Sequence, residues 1–230
     1  MKKLTTKSEY NGGVQVERAV SPFVTETDDL QSDSDKNSLS SDRPKTFEDY
    51  PGQHMTKENL RVYVNATLKR GGALDHVILY GPPGLGKTTL AHIVAHELSV
   101  PIFSTSGPSI DRPGDLAGLL AGLKENAILF IDEIHRLSIH VEEVLYSAME
   151  DFSIDIIVGQ GAAARSVSMP IKPFTLIGAT TKLSLLSRPF LNRFGIQEKL
   201  DYYDLDSLSS ILLKSSLKSG IELNETGARE

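Results

Sequence analysis

The chain has 230 residues, 40% of them hydrophobic and 23% charged, a balance that suits one sizeable core with a small subdomain or a tail. Its net charge of −6 and pI near 5.6 give no global attraction to nucleic acid, so DNA contact requires a local basic patch or a partner. No cysteine is present, which excludes disulfides and thiolate metal sites, and no apolar run is long enough for a membrane span or a leader; the expected compartment is the cytoplasm.

Residues 1–42 are polar and aperiodic, and "TETDDLQSDSDKNSLSSD" has too few apolar anchors to offset ordering, so a disordered polar and acidic extension is expected. The alternative is docking through Val14, Val16, Val20 and Phe23. Order is expected to begin at "RPKTFEDYPGQ". The run "TKENLRVYVNATLKRG" predicts a helix, with Leu60, Tyr63, Val64 and Leu68 at helical spacing and Gly71-Gly72 ending it. Short apolar runs follow, "HVILY", "PIFST", "AILFID" and "FTLIGAT", with "IQEKLDYY" as an edge strand. Separated by crossover-length segments, they predict an α/β fold: a parallel sheet covered by helices on both faces.

Between the third and fourth of these runs, "SIDIIVGQGAAARSVSMPIKP" predicts a β-hairpin with its turn at Gly159 and Gly161. Ile154, Ile156, Val158, Val167 and Met169 are expected to be exposed there and to suit a partner; the alternative is an insertion packed on its own domain. The stretch "LLSRPFLNRFG" reads as a loop broken by Pro189, carrying Arg188 and Arg193. Near the end, "LDSLSSILLKSSLKSG" places Leu205, Leu208, Ile211, Leu212 and Leu217 on a helix.

The chemistry is concentrated in two places. "LYGPPGLGKTTLAHIVAHEL" sets Gly81, Gly84, Gly86, Lys87 and Thr88 in the pattern G-x-x-x-x-G-K-[ST], after a strand and before a helix. Glycines let consecutive N–H groups curl around phosphate oxygens, the helix N-terminus adds its dipole, Lys87 is a point charge for the β- and γ-phosphates, and the Thr88 hydroxyl can sit on Mg²⁺. "AILFIDEIHRL" then ends a strand in Asp132-Glu133, one carboxylate for Mg²⁺ and the next to polarise an attacking water. A phosphate-bearing nucleotide and Mg²⁺ are therefore the expected ligands. His92 and His96 have zinc-like i, i+4 spacing, but without a third ligand or an intervening Glu they read as ordinary helix histidines. "DEIH" also matches the D-E-x-H box of two-domain helicases, for which this chain has too little room.

From residue 43 to about 223 the chain resembles the RuvB-type Holliday-junction branch-migration ATPases, AAA+ motors. The matching blocks are "RPKTFEDYPGQ", "LDHVILYGPPGLGKTTLAHIVAHEL", "TSGPSIDRPGDLAGLL", "LFIDEIHRL", "VEEVLYSAMEDF", "DIIVGQGAAARSV", "PFTLIGATT" and "NRFGI". The resemblance implies a P-loop NTPase of AAA+ type with a five-stranded parallel sheet, hexameric rings on duplex DNA, and RuvA as the junction-binding partner, contacted through a hairpin at about 153–173. Position by position it implies roles in the nucleotide site for Gly84, Gly86, Lys87, Thr88 and Thr89, and the metal and water-activating pair at Asp132 and Glu133. Thr181 matches the γ-phosphate sensor, with Thr180 as the competing hydroxyl; Arg43 and Tyr203 match positions lining the nucleotide. Asp151 and Phe152 match residues that do so from an adjacent subunit. Arg193, twelve residues beyond Thr181 and in the "RFG" setting, matches the finger that enters the neighbour's ATP site.

Three departures from the family pattern are visible. Pro51 in "YPGQ" replaces a branched apolar residue near the adenine, and Leu191 occupies a position that usually carries arginine, with Arg188 displaced earlier. Third, the sequence stops at Glu230, where the family continues through a helical lid, with a second sensor arginine, into a winged-helix DNA-binding domain. The expected division is therefore an extension over 1–42, an ATPase domain over 43–204 and the start of a lid over 205–230. The leading expectation is a motor subunit driving branch migration of Holliday-junction DNA. The alternatives are a shortened subunit that binds ATP or RuvA without moving DNA, and a clamp-loader-like AAA+ switch.

Overall fold

A computed structural model describes residues 43–158 and 165–229; the expected extension over 1–42 and the Gly159 and Gly161 turn lie outside them. In chain order the elements are α1 (His54–Arg70), β1 (Val77–Tyr80), α2 (Lys87–Leu98), β2 (Ile102–Ser106), α3 (Pro113–Gly122), β3 (Ile128–Asp132), α4 (Ile139–Asp151), β4 (Ser153–Val158), β5 (Arg165–Pro170), β6 (Thr175–Thr180), α5 (Arg188–Leu191), β7 (Ile196–Lys199) and α6 (Leu205–Lys218). Five strands form one parallel sheet in the order β2-β3-β6-β1-β7, while β4 and β5 pair antiparallel as a separate hairpin.

Alternation along the strands divides the core into two layers. Val77, Leu79, Ile128, Phe130, Ile177 and Ala179 face one cluster with Leu60, Val64, Leu90 and Val94 of α1 and α2. Their neighbours Ile78, Leu129, Ile131 and Leu176 face the other, with Leu116, Leu120, Val141 and Leu145 of α3 and α4. Both faces are therefore dry, which is why the strands read as continuous apolar runs. The expected five-stranded parallel P-loop fold is what forms.

Several local expectations are corrected. On α1 the buried face is Thr56, Leu60, Val64 and Thr67, whereas Tyr63 and Leu68 are 38% and 55% exposed. Each sits about 100° around the helix from a buried neighbour, so the covered stripe is narrower than the apolar pattern. The run "IQEKLDYY" pairs only as far as Lys199; after Leu200 the chain turns to the segment before α1, where the Gln53 amide bonds both the N–H and the C=O of Asp201. Pro189 does not break a loop: it fits the first turn of α5, which Ser187 caps by accepting from the Phe190 N–H, because a first-turn residue needs no donor. In the hairpin, Ile154 is 1% exposed and Met169, its register partner, is half-buried against the same core, because this pair near the hairpin's base joins the cluster that holds Phe174 and Met149 of α4. Val167 is exposed as expected; the side chains of Ile156 and Val158 lie outside the described residues. The helix expected near the end forms as α6, with Ser207, Ser209 and Ser216 buried while Leu205, Leu208, Leu212 and Leu217 are exposed.

At the N-terminal edge of the sheet one buried imidazole joins three elements. His76 Nδ1 accepts the Leu176 N–H at 2.9 Å and Nε2 donates to the Met149 carbonyl at 3.2 Å, fixing a neutral Nε2–H tautomer. Burial holds its pKa below the ordinary 6.5. A charged ring would desolvate a cation and lose the bond that β6 donates. The unfolded chain therefore binds this proton more readily, and stability falls as pH drops from about 6.5 toward the folded-state value. We expect the thermal midpoint to decline by a few degrees between about pH 7 and pH 5 and the decline to be shallower in His76→Gln. Parallel profiles for the two proteins would remove His76 as the cause.

Candidate active site

Strand register assembles the site. Tyr80 lies beside Thr180, and Ile131 lies beside Gly178, so β6 is flanked at its C-terminal end by the ends of β1 and β3. The phosphate-loop pattern leaves β1, the carboxylate pair leaves β3, and the candidate sensor leaves β6. Three segments far apart in sequence thus meet on one edge, where open parallel sheets bind ligands.

The loop after β1 ends at Gly86, which precedes α2 with φ 84° and no side-chain cap, so the first N–H groups of α2 are left to an anion. A Cβ on Gly86 would come within 2.4 Å of the Tyr50 hydroxyl, so glycine is required by both conformation and space. Lys87 curls over this loop: Nζ donates to the carbonyls of Gly81 at 2.9 Å and Pro82 at 2.7 Å. Burial pulls its pKa below the usual lysine value, opposed by Asp132 and Glu133, so the two carboxylates lie close enough to be felt. Thr88 and Thr89 follow half-buried on the first turn of α2. A Thr88 hydroxyl and an Asp132 carboxylate are hard oxygen donors of the kind Mg²⁺ takes beside phosphates, so this pair fits the expected ion.

Glu133 leaves β3 in the left-handed region, φ 49° and ψ 44°, with its N–H donating to Asp132 Oδ1 at 2.9 Å. That backbone is unfavourable for a residue with a Cβ and turns the side chain toward the end of β6. There the Thr181 hydroxyl donates to Glu133 Oε2 at 3.4 Å. Thr180, the competing hydroxyl, is fully buried and bonds His135 Nδ1 at 2.9 Å instead. The structure thus brings Thr181, not Thr180, directly onto the carboxylate.

Two residues at this edge escaped the sequence reading. Tyr50 donates to the Leu85 carbonyl at 2.8 Å; Tyr203 approaches the same carbonyl at 3.0 Å and the Tyr50 hydroxyl at 2.9 Å. Burial, then the facing Tyr203, raises the Tyr50 pKa far above the phenol range, and burial also raises that of Tyr203. Gly52 lies under the Tyr203 ring, where a Cβ would meet ring carbon at 2.7 Å. "YPGQ" is thus a clasp that fastens the phosphate loop to the segment after β7, and Tyr203 meets the loop through it. His135 is the second such residue; its place in "DEIH" was the available signal.

A second group lies at the opposite edge of the sheet. Arg193 precedes β7 and packs its guanidinium 4.3 Å from the centre of the Tyr146 ring on α4, bonding the Tyr146 hydroxyl and pairing with Glu150 at 2.5 Å. The Tyr146 bond, then Glu150, raises its pKa further. Phe152 stacks edge-on against Phe174 ahead of β6, and Asp151 beside it is exposed at the end of α4. The length of β1, about 10 Å, and the flanking loops separate this group from the chain's own phosphate loop. Arg188 is exposed on α5, and the described contacts do not tie the exposed Arg43 to the loop.

The model of the Holliday junction DNA helicase RuvB P-loop domain matches residues 42–200. The Holliday junction branch migration complex subunit RuvB of Bdellovibrio bacteriovorus is 55% identical over 188 residues, 82% of this chain and 57% of that protein. A solved mutant of Thermotoga maritima RuvB is 46% identical with TM-score 0.75, covering 81% of this chain and 58% of that one. Another structure, described as the Thermotoga maritima RuvB Holliday junction branch migration motor, is 45% identical with TM-score 0.72, covering 82% and 58%. The chain therefore spans a little over half the length of these relatives.

The clasp makes a stability prediction. With either hydroxyl removed the other still serves the buried Leu85 carbonyl; with both removed that carbonyl is orphaned. In urea unfolding, Tyr50→Phe and Tyr203→Phe should each cost under about 1 kcal/mol and the double variant about 1–3 kcal/mol, more than their sum. Simple additivity would show that the two hydroxyls do not share one acceptor.

Proposed function

The chain belongs to the RuvB P-loop family, and on that premise we propose that it is the ATP-hydrolysing module of a motor that drives branch migration of Holliday-junction DNA. The observation that carries this reading is the convergence of the phosphate loop, Asp132-Glu133 and Thr181 at three adjacent strand ends.

In this reading the N–H groups from Gly84 to Thr89 and the Lys87 ammonium hold the triphosphate, with Arg43 and Tyr203 toward the nucleoside. Thr88 and Asp132 hold Mg²⁺, which when bound neutralises charge on the phosphate oxygens. Glu133 accepts hydrogen from the attacking water and aligns it with the γ-phosphate. Thr181 donates its one hydroxyl hydrogen to that carboxylate here and can turn it to the γ-phosphate instead, and so senses the nucleotide.

Arg193, Asp151 and Phe152 serve a different site. Their place on the far edge of the sheet supports action on ATP bound by an adjacent subunit, which requires a ring; a hexamer is the assembly we propose. Glu150 and Tyr146 hold the Arg193 guanidinium meanwhile, so that little side-chain freedom is lost when it engages. The β4–β5 hairpin, rooted in the core by Ile154 and exposed at Val167, is the surface we assign to RuvA. Residues 43–204 form the ATPase unit and 205–230 begin the lid. DNA is gripped mainly by parts of the assembly other than this chain, whose net charge is −6.

Two measurements test this. Glu133→Gln should lower ATP turnover by roughly a hundredfold or more while nucleotide still binds; wild-type turnover would remove the water-polarising role. Arg193→Ala and Lys87→Ala subunits should each be inactive alone, since an arginine finger contributes about 10³–10⁵ in rate, yet recover turnover when mixed. A mixture as dead as its parts would sink action between subunits.

A further inference from the structure

The three-residue turn after β3, Ile134–Arg136, is pressed onto β6: Ile134 is fully buried, and a Cβ on Gly178 would meet its Cδ1 at 2.9 Å. The next residue, His135, is thereby placed between Glu133 and Thr180, with its side chain only 7% exposed. Nδ1 lies 2.9 Å from Thr180 Oγ1, and Nε2 lies 3.4 Å from Glu133 Oε2. An imidazole of this kind, buried against the carboxylate that faces the phosphates, is not used by the mechanism above.

The ring's proton can be placed by counting donors. Thr180 Oγ1 already accepts the Lys182 N–H at 3.0 Å, and in its buried position its own hydrogen needs an acceptor. Nδ1 is the acceptor within reach, so a neutral ring carries its hydrogen on Nε2, pointing at Glu133. Oε2 is then addressed twice from adjacent residues of one strand end: by the Thr181 hydroxyl directly, and by Thr180 through the imidazole. Both interactions fall on one oxygen. Long approaches of this sort tighten when a site closes on its substrate.

Building on the role given to Glu133 above, we propose that His135 is a positioning residue for hydrolysis. Its Nε2–H holds Oε2 so that Oε1 is presented to the water, and it couples the carboxylate's orientation to the Thr180–Thr181 end of β6. A movement of that strand end on meeting the γ-phosphate would therefore reach Glu133 by two routes, one of them through the ring. The ring donates a hydrogen bond, and no proton is transferred through it.

The test separates geometry from bulk. A Gln side chain can set its amide nitrogen near the position of Nε2, whereas an Asn amide reaches only that of Nδ1. His135→Asn should lower kcat for ATP roughly ten- to a hundredfold with ATP-analogue affinity unchanged, and His135→Gln should restore most of it. Equal losses in both variants, or wild-type kcat in His135→Asn while Glu133→Gln is inactive, would overturn the inference. An active Glu133→Gln would instead overturn the reading of Glu133 beneath it. The tautomer is read without any turnover: ¹⁵N shifts of the His135 ring, assigned by their absence in His135→Gln, should report hydrogen on Nε2, with the preference lost in Thr180→Val. Hydrogen on Nδ1 in the wild type would also overturn it.

Discussion

The register of β6 between β1 and β3 is the constraint on which the rest of the molecule depends. A parallel ladder aligns strand ends, and here it aligns the residues that follow them: the phosphate loop, the carboxylate pair and the threonine pair. Slipping β6 by one residue would exchange its two faces, moving Ile177 and Ala179 out of one core layer and Leu176 out of the other. The apolar interior therefore holds the polar edge in register. Burial of both faces does more than stabilise the domain; it sets which hydroxyl meets Glu133.

That edge is further stiffened by contacts within the protein itself. The Tyr50 and Tyr203 hydroxyls on the Leu85 carbonyl, and Gln53 on Asp201, bring the segment before α1 and the segment after β7 onto the phosphate loop. A loop rich in glycine loses much entropy on ordering, and such a clasp offsets part of that cost. The left-handed backbone of Glu133 is the complementary case, a strained conformation kept because the turn behind it is packed by Ile134. Rigid supports and one strained carboxylate are what a site needs if its work is positioning charge rather than forming covalent bonds.

The two edges of the sheet divide the proposed labour. The groups proposed to bind phosphate sit at the C-terminal edge, while Arg193 lies at the other, held by Tyr146 and Glu150. In the reading proposed above, each end of the domain contributes half of a site, and the junction between stacked copies completes it. The exposed leucines of α6 are a separate matter, since burying serines while presenting Leu205, Leu212 and Leu217 leaves that helix with an apolar outer face.

Much of this was legible in the sequence. Apolar runs at crossover spacing implied the parallel sheet, and the G-x-x-x-x-G-K-T and D-E patterns located the phosphate loop and carboxylates, because local backbone chemistry demands those residues at those spacings. Sequence periodicity misjudged Tyr63, Leu68 and Ile154, since which side of an apolar stripe is covered depends on neighbours that the pattern does not name. It left Thr180 and Thr181 as competitors, as adjacent strand residues point to opposite faces and only the packed sheet says which faces Glu133. Tyr50 and His135 went unmarked because their partners lie 35 and 45 residues away. The sequence by itself determined the candidate chemistry, since single residues and short spacings carry it; only the tertiary structure decided which groups touch, and that Arg193 lies at the other end of the sheet from its own loop, because those facts arise from strand order.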